Sequence, residues 1–316
     1  MFKLTKPAFI AALLSLLLML PMFGICQISV PEWVKDIGGP NGSSSVPSAV
    51  VNDSQNNIYI TGIFSGTVDF DPTAGVHELN SVGSFDTYLA KYTTDGNLIW
   101  AVSVGGDGID QANSMTIDND GNPSISGQFD SGQMDADPGP GVHNLTNNGG
   151  SDAFIIRFTT NGAFSWATSI GSSGTEYGGK IMADNQGNVI EVSQFQGTVN
   201  VGNKTFTAQG NFNGLMVKFD AAGHVTWAID LKDNNNSEAH SCSVDKNNNV
   251  IVSGTFSSNV NFNPLGAAHN LNGNGVSTFL AKYTPAGQLI WVKAIKGDVV
   301  NNNTNVCVNS NNDIYI

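Results

Sequence analysis

Paired acidic residues are the first feature of the sequence that has the chemistry of a ligand site. Asp69 and Asp71 are separated by one residue and precede Pro72, and Asp135 and Asp137 repeat this arrangement. Calcium binds six to eight oxygen ligands, and alternating acids can supply the first of them. Asx turns before a proline use the same residue types without a metal. We favour the turn and keep calcium as the alternative, because a later copy of the loop carries asparagines at these positions.

Three histidines follow these loops at a constant position. His77, His143 and His269 each lie five residues after the loop proline. A zinc site needs several ligands that converge on one ion. Equivalent positions in separate repeat units lie too far apart for that, so we expect loop residues and no metal ligands at these histidines.

Basic side chains recur at one position of the sequence. The positions are Lys91, Arg157, Lys218 and Lys282. They could form a surface for an anionic ligand, or each could pair with an acid and pack its stem on aromatic rings. An acidic series with the same spacing runs in parallel, at Asp53, Asp118, Asp184 and Asp245. We call such a series of equivalent positions, one in each unit, a column. We favour the ion pairs, because a binding site rarely repeats identically in every unit.

The sequence contains no recognisable catalytic constellation. No Gly-x-Ser-x-Gly nucleophile elbow is present, and no Ser/His/Asp set can be assembled. Glu176 and Glu191 are two acids that we interpret as departures from the repeat, with Glu191 aligned to Tyr59. A glycosidase would need two such carboxyl groups close together. We therefore expect no catalytic residue and no cofactor.

The composition excludes one large class of partner. The chain has 316 residues, with 13 lysines and arginines against 26 aspartates and glutamates, for a net charge of −13. Nucleic-acid binding depends on basic patches, so this balance argues against it. Only 12% of the residues are charged and 36 are glycine, which favours strands and turns over long helices.

The N-terminus has the pattern of an export signal. Lys3 and Lys6 precede an apolar run over residues 7–23, and small residues then stand at the −3 and −1 positions of a cleavage site after Cys26. We predict a signal peptide over residues 1–26 and a secreted, extracellular or cell-surface protein with no integral membrane span after cleavage. A retained membrane anchor and a lipid-modified Cys26 are the alternatives.

Two cysteines remain after that cleavage. Cys242 lies three residues before Asp245, whereas Cys307 lies two residues before the equivalent Asn309. Side chains alternate between the faces of a strand, so the two cysteines should point to opposite faces. We expect no disulfide between them and interpret both as small buried apolar residues.

The tryptophans reveal an internal repeat. They are Trp33, Trp100, Trp166, Trp227 and Trp291, at intervals of 67, 66, 61 and 64 residues. A fixed period of this kind is the signature of a repeat architecture. After residue 26 we divide the repeat region, 27–316, into approximate units 34–100, 101–166, 167–227, 228–291 and a truncated 292–316.

Each unit reads as four strands that alternate with Asn- and Gly-rich turns. Examples are residues 112–117, 58–64, 87–92 and 98–104 for the first to the fourth strand. Repeated four-stranded units predict an all-β fold, a β-propeller, with a β-solenoid as the main rival. About 4.5 blades of 61–67 residues are present. Because the chain stops within a second strand, we expect it to be a fragment of a larger propeller.

Four motifs of the repeat carry a family resemblance. They are residues 57–64 (Asn-Ile-Tyr-Ile-Thr-Gly-Ile-Phe), 69–72 (Asp-Phe-Asp-Pro), 86–92 (Asp-Thr-Tyr-Leu-Ala-Lys-Tyr) and 96–100 (Gly-Asn-Leu-Ile-Trp). This pattern resembles the SBBP-type, or seven-bladed β-propeller-type, repeat of secreted bacterial proteins. The resemblance covers residues 30–316. It implies a propeller and specifies almost nothing about activity.

These observations lead to one functional expectation and one alternative. We expect an exported, non-enzymatic propeller that binds a glycan or a protein at the cell surface, or that serves as a scaffold. The alternative is a secreted propeller enzyme, such as a polysaccharide lyase, a glycoside hydrolase or a quinoprotein-like protein.

Overall fold

The computed structural model describes residues 34–40, 42–273, 275–295 and 304–316. These residues form strands, turns and loops, and none of them forms a helix. The predicted signal peptide, residues 1–26, and Trp33 lie outside the described residues. The described ranges therefore contain no helix that is long and apolar enough to cross a membrane.

The described strands group into five successive blades. Blade one contains β1 (Ser44–Asn52), β2 (Ile58–Ser65), β3 (Thr67–Asp69), β4 (Glu78–Asn80), β5 (Asp86–Tyr92) and β6 (Leu98–Gly106). Blade two contains β7 (Asp110–Ile117), β8 (Pro123–Phe129), β9 (Gln133–Asp135), β10 (Asn144–Thr146), β11 (Asp152–Phe158) and β12 (Phe164–Ile170). Blade three contains β13 (Tyr177–Ala183), β14 (Val189–Phe195), β15 (Thr198–Val201), β16 (Lys204–Thr207), β17 (Asn213–Phe219) and β18 (Val225–Leu231). Blade four contains β19 (Ser237–Val244), β20 (Val250–Phe256), β21 (Asn259–Asn261), β22 (Asn270–Asn272), β23 (Ser277–Tyr283) and β24 (Leu289–Ile295). Blade five contains β25 (Cys307–Val308) and β26 (Ile314–Tyr315).

Each of the first four blades is an antiparallel sheet of four main strands. In blade one the order is β1-β2-β5-β6, and the same order recurs as β7-β8-β11-β12, β13-β14-β17-β18 and β19-β20-β23-β24. The all-β, propeller-like fold predicted from the repeat is therefore confirmed. The tryptophans lie within the fourth strand of each sheet, so limits drawn from tryptophan to tryptophan cut through that strand.

The tight turn between the first and second strands needs a left-handed backbone residue. This residue lies three positions after the repeated aspartate, or after Asn309 in blade five, and its φ is near +60° to +85°. It is Asn56, Gly121, Gly187, Asn248 or Asn312, depending on the blade. Glycine and asparagine tolerate this conformation best among the amino acids. The excess of these two residue types is thus placed in the turns that set the strand register.

A short hairpin leaves each blade between its second and third main strands. In blade one, β3 and β4 pair and carry the Asp-Phe-Asp-Pro segment at their tip. Blade three keeps the hairpin as β15 and β16, but joins its strands by only Gly202 and Asn203. The 61-residue interval in the tryptophan series results from this shorter tip.

The first strands of neighbouring blades contact each other through side chains. The Ser48 hydroxyl donates a hydrogen bond to the carbonyl oxygen of Ala112 (2.6 Å), and the Asn113 amide donates to that of Gly178 (2.9 Å). Ser48 and Asn113 are five residues before the turn aspartate of their own blades. The repeat therefore continues from one blade to the next through bonds between equivalent positions.

Apolar side chains fill the space between adjacent blades. One cluster joins Tyr59 and Leu89 of blade one to Ile125 and Phe154 of blade two. Further clusters join blade two to blade three and blade three to blade four. Because each sheet buries a face against its neighbour, the stability of one blade depends on the next.

Candidate functional site

The aspartate column holds the turn between the first two strands of each blade. Asp184 Oδ1 accepts hydrogen bonds from the backbone N–H groups of Gln186 (2.9 Å) and Asn188 (3.0 Å). The Asn188 amide donates to Oδ2 at 2.9 Å. Asn309 accepts the two equivalent backbone bonds in blade five, so the turn itself needs an acceptor and no charge.

The basic column lies beside this turn in every complete blade. Lys91 is 3.4 Å from Asp53, Lys218 is 2.8 Å from Asp184 and Lys282 is 2.8 Å from Asp245, and Arg157 pairs with Asp118. These side chains are at most 18% exposed, which leaves them little contact with solvent. The structure thus places the two columns together as ion pairs within each blade.

The ion pairs control the protonation of the acids. Burial would raise the pKa of Asp184, but hydrogen bonds from Lys218 and Asn188 outweigh it and hold this pKa below the usual value of 3.8. The same opposition of burial and hydrogen bonds lowers the pKa of Asp53 and of Asp245. The three carboxylates therefore stay ionised at neutral pH.

The tryptophan column joins neighbouring blades. The Trp100, Trp166 and Trp227 indole N–H groups donate to the carbonyl oxygens of Thr160, Ala221 and Pro285, respectively, at 3.0–3.1 Å. Each acceptor belongs to the turn before the fourth strand of the next blade, and the glycine of that turn lies against the indole ring. The tryptophan spacing therefore equals the distance, in residues, from one blade junction to the next.

The histidine column packs on the fourth strand of its own blade. His77 Nε2 is 2.9 Å from the carbonyl oxygen of Ala101, and the His143 ring lies 4.8 Å from that of Phe164. In blade three the column residue is Lys204, which donates to the carbonyl oxygen of Ala228 at 3.4 Å. The histidines of blades one and two are thus engaged within their own blades. In the described ranges, no group of three or more His, Cys, Asp or Glu side chains could hold a metal.

The paired acids of the hairpin tips close Asx turns. Asp69 Oδ1 accepts hydrogen bonds from the backbone N–H groups of Asp71 (3.0 Å) and His77 (2.8 Å), and Asp135 makes the equivalent pair with Asp137 and His143. In blade four, Asn261 makes the same two bonds without a charge. The oxygen lone pairs facing the loop are therefore engaged by the backbone, and calcium at these residues stays a prediction.

Glu176 has an acidic counterpart in blade two, so it is not a departure particular to blade three. It lies directly before β13, eight residues before Asp184, as Asp110 lies eight residues before Asp118, whereas blades one and four have Ser45 and Ser237 at this position. Asp110 Oδ2 accepts from the Gly106 N–H at 2.6 Å, and Glu176 makes the matching bond to Ser172 at 2.7 Å. Burial raises the pKa of both acids, that of Asp110 to about 6.

Glu191 departs from the repeat, but its alignment with Tyr59 is wrong. Its strand partner is Val217, whereas Tyr59 pairs with the basic residue Lys91. Glu191 therefore corresponds to Ile60, one residue after Tyr59. The equivalent of Tyr59 in blade three is Ile190, and the Glu191 side chain points to the opposite face of the sheet from that of Ile190. It is fully buried and accepts hydrogen bonds from the Gly179 N–H (3.3 Å) and the Ser193 hydroxyl (3.0 Å). Burial raises its pKa to about 8.

This carboxyl should make the fold less stable as the pH rises. Between pH 4.5 and 8 the folded chain holds a proton on Glu191 that the unfolded chain has released, so the free energy of unfolding falls with pH. We expect Glu191→Gln to remove this contribution. Relative to the variant, the wild type should lose about 2 kcal/mol from pH 6 to pH 8 in urea unfolding. Parallel pH profiles of the two proteins would contradict the assignment, and Glu78→Gln, at an exposed site, is the matched control.

The two cysteines of the described blades differ in exposure. Cys242 is buried and Cys307 is exposed, and both are free thiols, as expected from their opposite strand faces. The interpretation of Cys307 as a buried residue is wrong. The side chains that would cover the fifth blade are not among the described residues, so strand parity alone could not decide its exposure.

Blades three and four are separated by a cleft of about 400 Å³. One wall is the β15–β16 hairpin with Lys204 and Phe206, and the opposite wall is the blade-four hairpin tip with Leu265. The floor is the end of β18, where Asp230 and Lys232 lie. This volume is in the range of about 300–1,000 Å³ that is usual for small-molecule sites.

The cleft contains a buried carboxylate whose hydrogen-bonding capacity is not used within the described chain. Asp230 is 4% exposed, and its Oδ2 accepts no hydrogen bond. The Lys232 ammonium is 3.9 Å from this oxygen, beyond hydrogen-bond distance. Burial raises the pKa of Asp230 to about 6, against the opposing charges of Lys232 and Lys204. The Oδ2 atom has almost no exposed surface, so a ligand group that donates a hydrogen bond would satisfy it after the carboxylate turns toward the cleft.

Glycines close the corresponding space between blades one and two. Gly105 and Gly106 of β6 pair with β9, and a Cβ on Gly106 would lie 2.1 Å from the carbonyl oxygen of Gln133. Blade three has Lys232 and Asp233 at these two positions, counted from its tryptophan. A side chain there is incompatible with the pairing, and β18 and β21 are in separate sheets. Blade two has Gly171 and Ser172 at these positions, and its β12 is likewise in a separate sheet from β15, so the pairing seen between blades one and two is absent at both later junctions.

Sequence reasoning missed this site, although the repeat contained the signal. Counted from the tryptophan, Asp230 stands where blades one and two have Ser103 and Ser169. Lys232 stands where blade one has Gly105, and Lys204 replaces a histidine. Lys296 and Asp36 occupy one of these positions each, counted from Trp291 and Trp33, but blade three is where all three charges occur together, and that combination is the signal in the sequence.

Two other cavities are built from groups that already bond to each other. A groove of about 680 Å³ between blades one and two includes Trp100 and the Lys91–Asp53 pair. A cavity of about 260 Å³ beside the first strands of blades two to four includes His240, which lies 2.8 Å from Glu238. The Asp230 cleft differs because its unused acceptor belongs to a carboxylate, whereas the unused acceptor of the 260 Å³ cavity is the amide oxygen of Gln194.

Comparison with curated proteins identifies a longer repeat protein. The chain is 26% identical over 231 residues to an uncharacterized WD repeat-containing protein of Acanthamoeba polyphaga mimivirus. The match covers 63% of this chain and 17% of the viral protein, so it spans about a sixth of that relative. The chain matches no family model.

Comparison with solved structures identifies proteins of Bacteroides caccae and B. thetaiotaomicron. A protein of unknown function from Bacteroides caccae aligns with 11% identity, 84% coverage of this chain, 87% coverage of that chain and a TM-score of 0.36. The extracellular domain of a hybrid two component system from B. thetaiotaomicron aligns with 12% identity, 89% and 38% coverage, and a TM-score of 0.32. Together with the curated relative, the sheets described above make this chain a β-structured repeat protein.

Proposed function

We propose that this chain is an exported, non-enzymatic binding module of the SBBP-type repeat class, and that it holds its ligand in the cleft between blades three and four. One observation carries the proposal: where blades one and two have a histidine, a serine and a glycine, blade three has Lys204, Asp230 and Lys232, and these three line one cavity. Substitutions that break a structural repeat and converge in space are typical of a function added to a scaffold.

The surroundings of the two glutamates support binding over glycoside cleavage. Glu176 accepts hydrogen bonds from the Ser172 N–H and hydroxyl (2.7 Å each), and Glu191 is bound by Ser193 and Gly179. Both carboxyls are buried within the blades. A glycosidase presents its two carboxyl groups to the substrate in an open cleft.

A cleft-filling variant tests where the ligand binds. We expect the wild-type chain to bind at least one member of a panel of neutral and acidic oligosaccharides of four to six residues, measured by isothermal titration calorimetry. Leu265→Trp should fill the cleft and weaken that binding at least tenfold. Val142→Trp lies in the equivalent hairpin tip of blade two, where Val142 is 73% exposed, and should leave the affinity unchanged.

Either of two results would overturn this proposal. One is a panel in which no oligosaccharide binds. The other is a bound oligosaccharide whose affinity responds to Val142→Trp and not to Leu265→Trp. Thermal melting of each variant should accompany the titrations, because only variants that melt like the wild type report on the cleft itself.

A further inference from the structure

We infer that the cleft between blades three and four recognises an acidic sugar residue, one that carries a carboxylate and free hydroxyl groups on a single ring. The inference rests on the proposed binding function and adds its ligand class. It follows from three chemical properties of the cleft: two ammonium groups, one carboxylate with a free oxygen, and an apolar wall.

The ammonium groups require an anionic ligand group. Lys204 and Lys232 line the cleft, and the charges of both act on Asp230. Lys204 is held in place by its bond to the Ala228 carbonyl oxygen (3.4 Å), whereas the Lys232 side chain is 52% exposed and can turn toward a bound group. In a chain with twice as many acids as bases, two lysines beside one cavity form a local positive field.

The Asp230 carboxylate distinguishes a sugar acid from a simple anion. Sulfate would meet the lysines but would face this buried negative charge without a hydrogen to donate. A hydroxyl group donates to a carboxylate oxygen with a short, charge-assisted bond. A ring with a carboxylate on one carbon and hydroxyls on its neighbours supplies both groups to the same cleft.

The remaining wall suits the C–H face of a sugar ring. Phe206, Pro264 and Leu265 present apolar surface opposite the charged floor. Ligand sites commonly combine such an apolar surface with a few polar groups that set the orientation. Phe206 occupies a position where the hairpins of the other blades have leucine (Leu79, Leu145 and Leu271), so the aromatic ring is particular to blade three.

The test compares two hexasaccharides that differ in charge. The probes are hexagalacturonate and the neutral galactose hexamer of the same linkage, titrated calorimetrically into the full chain. We expect the acidic hexamer to bind at least tenfold more tightly, and the preference to shrink as salt rises from 50 to 500 mM. Lys232→Met should reduce this preference to less than threefold. Lys293→Met, at an exposed site on β24, is the control and should preserve it.

A second variant returns the cleft to the residues of blade one. Asp230→Ser together with Lys232→Gly reproduces Ser103 and Gly105, so the variant is compatible with the fold. We expect it to lose at least tenfold in affinity for hexagalacturonate. Tighter or equal binding of the neutral hexamer, with no effect of Lys232→Met, would overturn the acidic-sugar inference. If that neutral binding were still abolished by Leu265→Trp, the cleft would remain the binding site.

Discussion

Replacing Trp227 with alanine should lower the free energy of unfolding by about 3–5 kcal/mol, the range typical of a large aromatic residue truncated in a core. Trp227 is 6% exposed and belongs to the apolar cluster between blades three and four. Its indole N–H donates to the Pro285 carbonyl oxygen at 3.0 Å. The truncation would therefore create a cavity at a blade junction and leave a carbonyl group without its partner.

Two controls separate the packing of this residue from its hydrogen bond. Trp227→Phe keeps most of the ring contact and loses the N–H donor, so it should cost about 1–2 kcal/mol. Ile290→Ala removes an apolar side chain that is 47% exposed on the fourth strand of blade four and should cost well under 1 kcal/mol. Urea unfolding followed by tryptophan fluorescence and circular dichroism gives the three values. A loss below 1 kcal/mol for Trp227→Ala would contradict a role in joining the blades.

Replacing Lys218 with methionine should cost about 3–5 kcal/mol, because it leaves a buried carboxylate without its counter-ion. The side chains of Lys218 and Asp184 are 4% and 0% exposed, and their charged groups are 2.8 Å apart. The Lys218 ammonium also donates to the Pro285 carbonyl oxygen of blade four at 3.2 Å. The Lys218 side chain thus neutralises a carboxylate of its own blade and donates a hydrogen bond to the next blade.

A double-mutant cycle shows whether the cost comes from the stranded charge. Asp184→Asn keeps the acceptor that the turn requires, as Asn309 does in blade five. The double variant Lys218→Met with Asp184→Asn should be more stable than the sum of the single effects predicts, by about 2 kcal/mol. The Lys218→Met variant should also regain stability on acidification, since protonation of Asp184 removes the unpaired charge.

The outcome of this cycle distinguishes a structural column from a ligand surface. Lys293→Met, on the exposed side of β24, should change the free energy of unfolding by less than about 0.5 kcal/mol. If Lys218→Met were equally neutral, the basic column would not be required for folding. An anionic-ligand role for Lys91, Arg157, Lys218 and Lys282 would then become the better interpretation.

Most of the fold followed from the sequence, because the signals for it are local. The sequence predicts strand three of blade one over residues 87–92 and strand two over residues 58–64, and these strands are observed as Asp86–Tyr92 and Ile58–Ser65. A run of β-branched and aromatic residues between turns is encoded within about ten residues. Because the pattern recurs in every unit, a strand that is ambiguous in one unit can be assigned by comparison with the others.

Site assignments succeeded or failed according to whether strand register was known. The sequence favours an ion pair between each repeated basic residue and an aspartate of its blade, and the structure identifies Asp184 as the partner of Lys218. Glu191 was misplaced by one residue, and in a strand such a shift moves a side chain to the other face. Glu176 was taken for an exception because its partner in the repeat, Asp110, carries a shorter acid at the same position.

The sequence by itself determined the period, the four strands of each blade, the turns between them and the residue types at each column. Only the tertiary structure decided what those columns touch. The tryptophans meet the turn of the next blade 55–60 residues away, and Lys204, Asp230 and Lys232 come together with the blade-four hairpin around one cavity. Periodicity encodes contacts within a blade, whereas contacts between blades depend on the stacking of whole sheets. A cleft whose walls belong to two blades is therefore visible only when both blades are in place.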